Sequence, residues 1–246
     1  MSYSVNMAPF DGDSMSGATV VRFTGIVVTL LAVTVLIAAT GLDMKVTAFF
    51  YVPSTGFPYG DLQPGYSLYR YGVWPAYLLA GAALLVFVIG FFLPRLVPYR
   101  KPALFIVLLL ALGPGLLVNS YFKDHWGRPR PRQVVEFGGA NRFHQPWQKD
   151  NLPDNKGFPC GHASAAFYLM APYFVLRRTN RRRALFWLAL GIVYGTLMGI
   201  ERLAQGGHFV SDVLWSGGIV YLTGLVLAAA MRLDTGQRRA TSGSPP

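Results

Sequence analysis

The chain has 246 residues, of which 52% are hydrophobic and only 13% are charged, and its formal net charge is +11. A soluble domain has about 25% charged residues, so this composition excludes an ordinary soluble protein and indicates a membrane protein. The length suits one compact domain. The positive charge does not indicate nucleic-acid binding, because the basic residues fall into separate segments between apolar stretches and form no single stripe.

Six apolar segments follow one another along the chain and predict an all-α fold, a bundle of six transmembrane helices. A helix needs roughly 17–25 mostly apolar residues to cross a bilayer. The fourth segment is short and contains Pro172, so we expect its helix to begin earlier, within 158–162. The polar ends, 1–17 and the basic tail 234–246, are predicted to be disordered, which leaves 18–233 as one membrane domain. The six segments are 23–42, 73–93, 103–122, 163–176, 184–200 and 210–231.

Lys and Arg residues beside the apolar segments predict the orientation, because such residues are retained on the cytoplasmic side. They follow the second, fourth and sixth segments, and an even number of spans puts these three places and the N-terminus on one face. We expect the opposite face, with 43–72, 123–162 and 201–209, to lie in the periplasm. The basic residues concerned are Arg95, Arg100, Lys101, Arg177, Arg178, Arg181, Arg182, Arg183, Arg232, Arg238 and Arg239.

Three short motifs all fall on the predicted outer face. They contain two arginines, whose planar forks match phosphate oxygens in pairs, and one lysine that adds a mobile charge. This combination suits a phosphate dianion. The motifs are Lys123-x6-Arg130-Pro131, Pro159-Cys160-Gly161-His162 and Arg202-x5-His208-x3-Asp212.

The first motif places Arg130 between two prolines, which stiffen its loop. Arg128 and Arg132 lie outside the pattern. We interpret them as surface or lipid-headgroup contacts, or as residues without a role.

The third motif carries the mechanistic prediction. His208 and Asp212 are four positions apart at the start of the sixth segment, so a helix would place them on one face. A carboxylate on one imidazole nitrogen fixes the tautomer and leaves the other nitrogen free to attack, which makes His208 the candidate nucleophile. The alternatives are a helix-capping pair and a metal site, although the surrounding Arg and Lys residues would repel a cation.

The second motif combines a glycine with the start of the fourth helix. Gly161 lets the backbone approach an anion, and the helix start offers free N–H groups. Cys160 is the only cysteine, so no intramolecular disulfide can form. Thiol-dependent phosphatases place Arg six positions after the cysteine, where this chain has Ala166. Cys160 is therefore interpreted as a structural thiol or as a weak hydrogen-bond donor to phosphate.

In this order, and beside apolar segments, the three motifs resemble the signature of the type 2 phosphatidic acid phosphatase superfamily, the integral-membrane lipid phosphatases. The resemblance implies that His208 attacks phosphorus to form a phosphohistidine and that Asp212 orients it. It further implies that His162 protonates the leaving lipid alkoxide and then activates water, with no metal or other cofactor. The residues implied to bind the phosphate are Lys123, Arg130, Arg202, Cys160 and Gly161.

The chain departs from the family pattern at two positions. Cys160 stands where the family usually has Ser, and Glu201 stands where a Ser commonly precedes the arginine. A carboxylate at Glu201 would repel phosphate unless it points away or pairs with Arg202.

The resemblance implies a bacterial inner-membrane enzyme whose site faces the periplasm and whose partners are the bilayer and a lipid substrate. Members of the family act on undecaprenyl diphosphate, phosphatidylglycerol phosphate, phosphatidate or the phosphates of lipid A, and the sequence does not rank these. The aromatic segment 43–72 either lines the substrate entrance or forms an interfacial belt. The alternative functions are a vanadate site of the haloperoxidase kind and a non-enzymatic lipid transporter.

Overall fold

The computed structural model describes residues 17–150 and 154–233, and within these ranges the regular structure is helical, with no β-strand. The predicted all-α fold is therefore confirmed. Residues 1–16 and 234–246, which belong to the segments predicted to be disordered, lie outside the described residues, and Gly17 begins the first helix.

Ten α-helices follow one another in the described chain. A run of wider π-type turns, Ala111–Phe122, joins α5 to α6, and a 3-10 turn, Tyr168–Met170, joins α7 to α8. Further 3-10 turns lie at Pro58–Asp61, Pro94–Leu96, Pro131–Gln133 and Val135–Phe137. The helices are α1 (Gly17–Thr40), α2 (Leu42–Phe50), α3 (Gly65–Tyr71), α4 (Trp74–Ile89), α5 (Val97–Leu110), α6 (Lys123–His125), α7 (Gly161–Phe167), α8 (Ala171–Leu176), α9 (Arg181–Ala204) and α10 (Val210–Ala230).

Five helical stretches of the described residues are long and apolar enough to cross a membrane. Many of their large apolar side chains point outward; Val21 is 72% exposed and Leu78 is 66% exposed. Such contiguous apolar exposure is typical of a lipid-facing surface. The five stretches are Gly17–Thr40, Gly65–Ile89, Pro94–His125, Arg181–Ala204 and Val210–Ala230.

The fourth predicted span corresponds to α7 and α8, which are too short to join these five. Its helix begins at Gly161, inside the second motif as expected, and nearly every residue of α7 is buried. It is therefore the central element of the bundle and has little surface to offer to lipid.

Small residues let α9 pack closely against this central element. A Cβ atom at Gly195 would overlap the Phe167 ring, and one at Gly191 would lie 2.5 Å from the backbone nitrogen of Met170. Close helix approach through small residues is typical of membrane bundles. It places the start of α7, with Gly161 and His162, at the same end of the bundle as the end of α9.

The π-type turns adjust the end of the Pro94–His125 stretch. Pro114 has no N–H to donate, and the Asn119 side chain donates to the Pro114 carbonyl at 2.7 Å. Wide turns of this kind occur frequently at functional sites. They end at Phe122, and the next residue, Lys123, lies beside the start of α7.

The loop between α6 and α7 folds back over this end of the bundle. Val134, Phe137 and Phe209 form a small buried cluster against Tyr51 and Phe143. The Phe143 and Phe209 rings lie 5.0 Å apart, edge to face. The loop is thus held against α2 and the start of α10, and it encloses one side of the site.

Candidate active site

The three motifs meet at one cavity of about 460 Å³ at this end of the bundle. Each motif contributes from the end of a helix or from the adjoining loop, so residues that are distant in sequence share one opening. The predicted residues that line it are Lys123, Arg130, His162, Arg202 and His208, and the other lining residues are Phe57, Gly60, Asp61, Tyr66, Tyr69, Arg132 and Gln205.

Three cationic side chains of the motifs surround this cavity. The Nε atoms of Arg130 and Arg202 are buried, and neither has a hydrogen-bond partner within residues 17–150 and 154–233. Burial, and then the nearby guanidinium groups of Arg132 and Arg202, lower the pKa of Arg130. Buried donors without partners and mutually repelling cations are both stabilised by an anion. The arrangement therefore fits a multiply charged oxyanion such as phosphate.

Two glycines are required for the cations to occupy these positions. A Cβ atom at Gly161 would overlap Asn119 Oδ1 and lie 2.8 Å from Lys123 Nζ. One at Gly207 would lie 2.5 Å from Arg202 Nη2. A larger residue at either position would displace one of these cationic groups from the cavity.

His208 is buried, and the hydrogen bond of its ring indicates which nitrogen carries the proton. Its Nδ1 lies 2.6 Å from the carbonyl oxygen of Gly157. A carbonyl only accepts, so we assign the proton of the neutral ring to Nδ1, and the lone pair of Nε2 is then free to attack.

The Asp212 carboxylate lies beside the same ring nitrogen of His208. Its Oδ2 lies 3.7 Å from His208 Nδ1, too far for a hydrogen bond. The Gly157 carbonyl therefore fixes the tautomer, and Asp212 acts on the ring through its charge. Burial opposes the imidazolium, but the side chains of Cys160 and Asp212 outweigh it and raise the pKa of His208.

His162 is half-buried and lines the same cavity. Its ring packs against Tyr69 with centroids 4.9 Å apart, and the guanidinium of Arg202 lies 4.6 Å from the centre of the Tyr69 ring. Burial, followed by the charges of Arg202, His208 and the other cations, lowers the pKa of His162 to about 4. The ring is therefore neutral at pH 7 until an anion offsets those charges.

Cys160 is completely buried and does not line the cavity. Its sulfur accepts a hydrogen bond from the Ala163 N–H at 3.4 Å and so caps α7. Its carbonyl accepts from the Ser216 hydroxyl at 2.9 Å. The thiol therefore lies at the helix start, beside the buried His208 ring.

Glu201 points away from the cavity. It is buried, and its Oε1 accepts a hydrogen bond from Gln205 Nε2 at 2.8 Å. Its Oε2 lies where a Cβ atom of Gly65 would be, at the start of α3. Gln205 in turn receives a hydrogen bond from Arg202 on its Oε1. The Gln205 amide therefore separates the Glu201 carboxylate from the Arg202 guanidinium.

The interpretation of Arg128 as a surface residue is wrong. Its side chain is completely buried and donates to the Asp212 carboxylate. The reason is that the loop folds back over α10, so that Arg128 points inward, whereas Arg132 is exposed at the cavity mouth.

Sequence reasoning missed several residues of the site. Gln205 and Asp61 gave no signal in the sequence. Tyr69 belongs to the aromatic segment 43–72, for which the sequence left two interpretations, a substrate entrance and an interfacial belt. Asp43, which pairs with Arg128 at 2.9 Å, could have been noticed as a carboxylate directly after an apolar span, where ionisable residues are costly and often functional.

No cluster of three or more His, Cys, Asp or Glu side chains that could hold a metal ion occurs in the described part of the chain.

The sequence model of the PAP2 superfamily matches residues 102–236, the part that contains all three motifs. No solved structure matches the chain.

Three curated relatives are similar to the chain over part of its length. The chain is 43% identical over 136 residues to a lipid A 4'-phosphatase of Francisella tularensis subsp. novicida, covering 55% of this chain and 60% of the relative. It is 35% identical to a lipid A 4'-phosphatase of Rhizobium leguminosarum, covering 50% of each. It is 29% identical to phosphatidylglycerophosphatase B of Bacillus subtilis, covering 47% of this chain and 52% of the relative. The chain thus spans about half the length of the curated relatives it matches.

Proposed function

The chain belongs to the PAP2 superfamily, and from this premise we propose that it is a membrane lipid phosphatase that works through a phosphohistidine and needs no metal. The observation that carries the proposal is the convergence of Lys123, Arg130 and Arg202 on a cavity that also contains His162 and His208.

In the proposed first step, His208 Nε2 attacks phosphorus and the bond from phosphorus to the lipid oxygen breaks. His162 gives its proton to that oxygen, so the lipid leaves as an alcohol. In the second step His162 takes a proton from water, the water oxygen attacks phosphorus, and the phosphorus–nitrogen bond breaks to release inorganic phosphate. The three cations hold the equatorial oxygens throughout, since phosphoryl transfer depends mainly on positioning and electrostatics.

The low pKa of His162 fits this sequence of steps. A bound phosphate dianion offsets the cations that lower this pKa, so the substrate itself promotes protonation of the acid that its leaving group requires. His208 needs the opposite protonation state, because its ring must be neutral for Nε2 to attack phosphorus.

We propose a glycolipid phosphate of the lipid A kind as the first substrate to test, with phosphatidylglycerol phosphate second. Two relatives named lipid A 4'-phosphatase support this order. The cavity mouth also supports it, because Asp61 can hydrogen-bond hydroxyl groups of a headgroup and Tyr66 and Tyr69 offer ring faces. Undecaprenyl diphosphate and phosphatidate complete the panel.

We further propose six spans, with α7 and α8 as the fourth, in the bacterial inner membrane with the cavity at the periplasmic face. Two observations support this orientation. Arg22 of α1 and Arg177, which follows α8, line one cavity of about 480 Å³. Lys101 Nζ donates to the Arg232 carbonyl at 3.4 Å. The basic segments thus share the end of the bundle away from His208, as the positive-inside rule requires.

The test is phosphate release by the purified protein in detergent micelles over the four lipid classes. We expect His208→Ala to lose all turnover, whereas His125→Ala, the matched change at an exposed histidine outside the cavity, should retain it. Turnover by His208→Ala at the wild-type rate would refute the proposed nucleophile.

Two additions separate the proposal from its alternatives. Activity should survive excess chelator, and vanadate should inhibit as an analogue of five-coordinate phosphorus. Loss of activity on chelation, restored by one divalent ion, would place His208 and Asp212 in a metal site. A wild-type protein that binds all four lipids and releases no phosphate would indicate a transporter.

A further inference from the structure

Arg128 is completely buried beside the site. All three of its guanidinium nitrogens donate hydrogen bonds: Nε to the His144 carbonyl at 2.8 Å, Nη1 to the Ser211 hydroxyl at 2.8 Å and to the Asp212 carboxylate, and Nη2 to Asp43 Oδ2 at 2.9 Å. Its planar group also lies 4.7 Å from the centre of the Phe209 ring. The side chain is thus held on every side.

Asp43 connects this network to the N-terminal helices. It lies in the first turn of α2 and is buried, with Oδ1 accepting from the Ser211 N–H at 2.9 Å and Oδ2 from the Ser211 hydroxyl at 2.6 Å. Gly41, whose φ of +65° is left-handed, turns the chain between α1 and α2 and directs Asp43 inward. Asp43 is outside the residues that match the PAP2 superfamily, 102–236, so the network joins a segment outside that match to the start of α10.

Burying these charged groups costs free energy, which is hard to explain if the network only stabilises the fold. It buries two carboxylates and one guanidinium, and such groups are stabilised no better than well-packed apolar side chains of similar volume. The position of the network, next to His208, indicates a role in the reaction. Asp212 Oδ2 accepts from the Phe209 N–H at 2.7 Å, and Phe209 follows His208 directly.

We infer that Arg128 is a positioning residue of the reaction, which, with Asp43 and Ser211, holds the Asp212 carboxylate behind His208. The inference rests on the proposed phosphatase function. Arg128 does not line the cavity, so it acts on the substrate only through Asp212 and the His208 backbone.

The charge of the network sets the environment of His208, together with the other groups around that ring. These are Cys160 and His162 at the start of α7, Arg202 at the end of α9, and Lys123 and Arg130 across the cavity. One guanidinium shared between two carboxylates leaves the network one negative charge in excess. This excess favours the imidazolium, so removing a carboxylate should make His208 easier to deprotonate.

The first variant is Arg128→Lys, which keeps the charge and loses the planar guanidinium that reaches four acceptors. We expect kcat to fall about 10- to 100-fold with KM nearly unchanged, the loss of one charge-assisted hydrogen bond at the transition state. Arg142→Lys, at an exposed arginine of the same loop, is the matched control and should behave as wild type.

The second variant is Asp43→Asn, an isosteric change whose amide oxygen can still accept from the Ser211 N–H, whereas its NH2 group can no longer accept from Arg128. We expect the acidic limb of the pH profile of kcat/KM to shift to lower pH, because the loss of a nearby negative charge lowers the pKa of His208. Asp154→Asn, at an exposed carboxylate, should leave the limb in place. If Arg128→Lys does not fold, Ser211→Ala removes one member of the network and should lower kcat several-fold.

The outcomes are distinct. Folded Arg128→Lys or Ser211→Ala protein with wild-type kcat, together with an unshifted limb in Asp43→Asn, would reduce the network to a structural role and overturn the inference. Absence of phosphate release from the wild-type protein would instead refute the proposed function. Reduced kcat with unchanged KM and a shifted limb would support both.

Discussion

Gly161→Ala is a small change with a large predicted effect on phosphate binding. The new Cβ atom would overlap Asn119 Oδ1 and lie 2.8 Å from Lys123 Nζ, whereas ordinary van der Waals contact is 3.4–4 Å. Both neighbouring atoms are at the ends of side chains, so the helix itself need not move. The side chains must give way instead.

The size of the effect follows from these contacts. Lys123 Nζ must move by roughly 1 Å, and a misplacement of that size can cost about a hundredfold in rate. Asn119 is held by its bond to the Pro114 carbonyl at 2.7 Å, and breaking that bond costs about 1 kcal/mol of stability. We therefore expect kcat/KM to fall about a hundredfold while the melting temperature falls by only a few degrees.

The assay is phosphate release from the best lipid of the panel, with thermal unfolding of the same micellar sample. Gly81→Ala is the matched control, because no atom lies within 4 Å of its added Cβ and alanine is the better helix former. It should keep full activity. Wild-type kcat/KM in Gly161→Ala, or an equal loss in both variants, would refute the placement of Lys123 against the helix start.

Three other predictions concern single groups. Cys160→Ser should keep or raise activity, because a hydroxyl can also cap α7, and Cys160→Ala should lose about tenfold or less; if both were inactive, a covalent thiol would be indicated. Calorimetry at pH 5.5 should show that binding of inorganic phosphate takes up more protons in the wild type than in His162→Gln. The pKa of His162, about 4 before binding, rises when an anion arrives, and a group takes up protons between its two pKa values; equal uptake would contradict this. In a Cys160→Ser background, a cysteine at the exposed position of Glu136 should react with an impermeant thiol reagent from the periplasm, and one at Thr179 should not. The reverse pattern would place the cavity in the cytoplasm.

The sequence by itself determined the class of protein, the helical fold and five of the residues around the cavity. Apolar stretches of spanning length can only be helices in a bilayer, because every backbone group must find its partner within the segment. Arg, Lys and His residues at the ends of such stretches are costly unless they bind something, so Lys123, Arg130 and His208 could be recognised without coordinates.

Only the tertiary structure decided which groups contact and hydrogen-bond those residues. His208 and Asp212 have the spacing of a hydrogen-bonded pair, yet Nδ1 donates to the carbonyl of Gly157, a backbone atom that no motif identifies. Arginine is usually a surface residue, yet Arg128 is buried because the loop folds over α10. Partners such as Asp43 come from distant segments, and burial and pairing between distant segments depend on packing, which local sequence patterns do not encode.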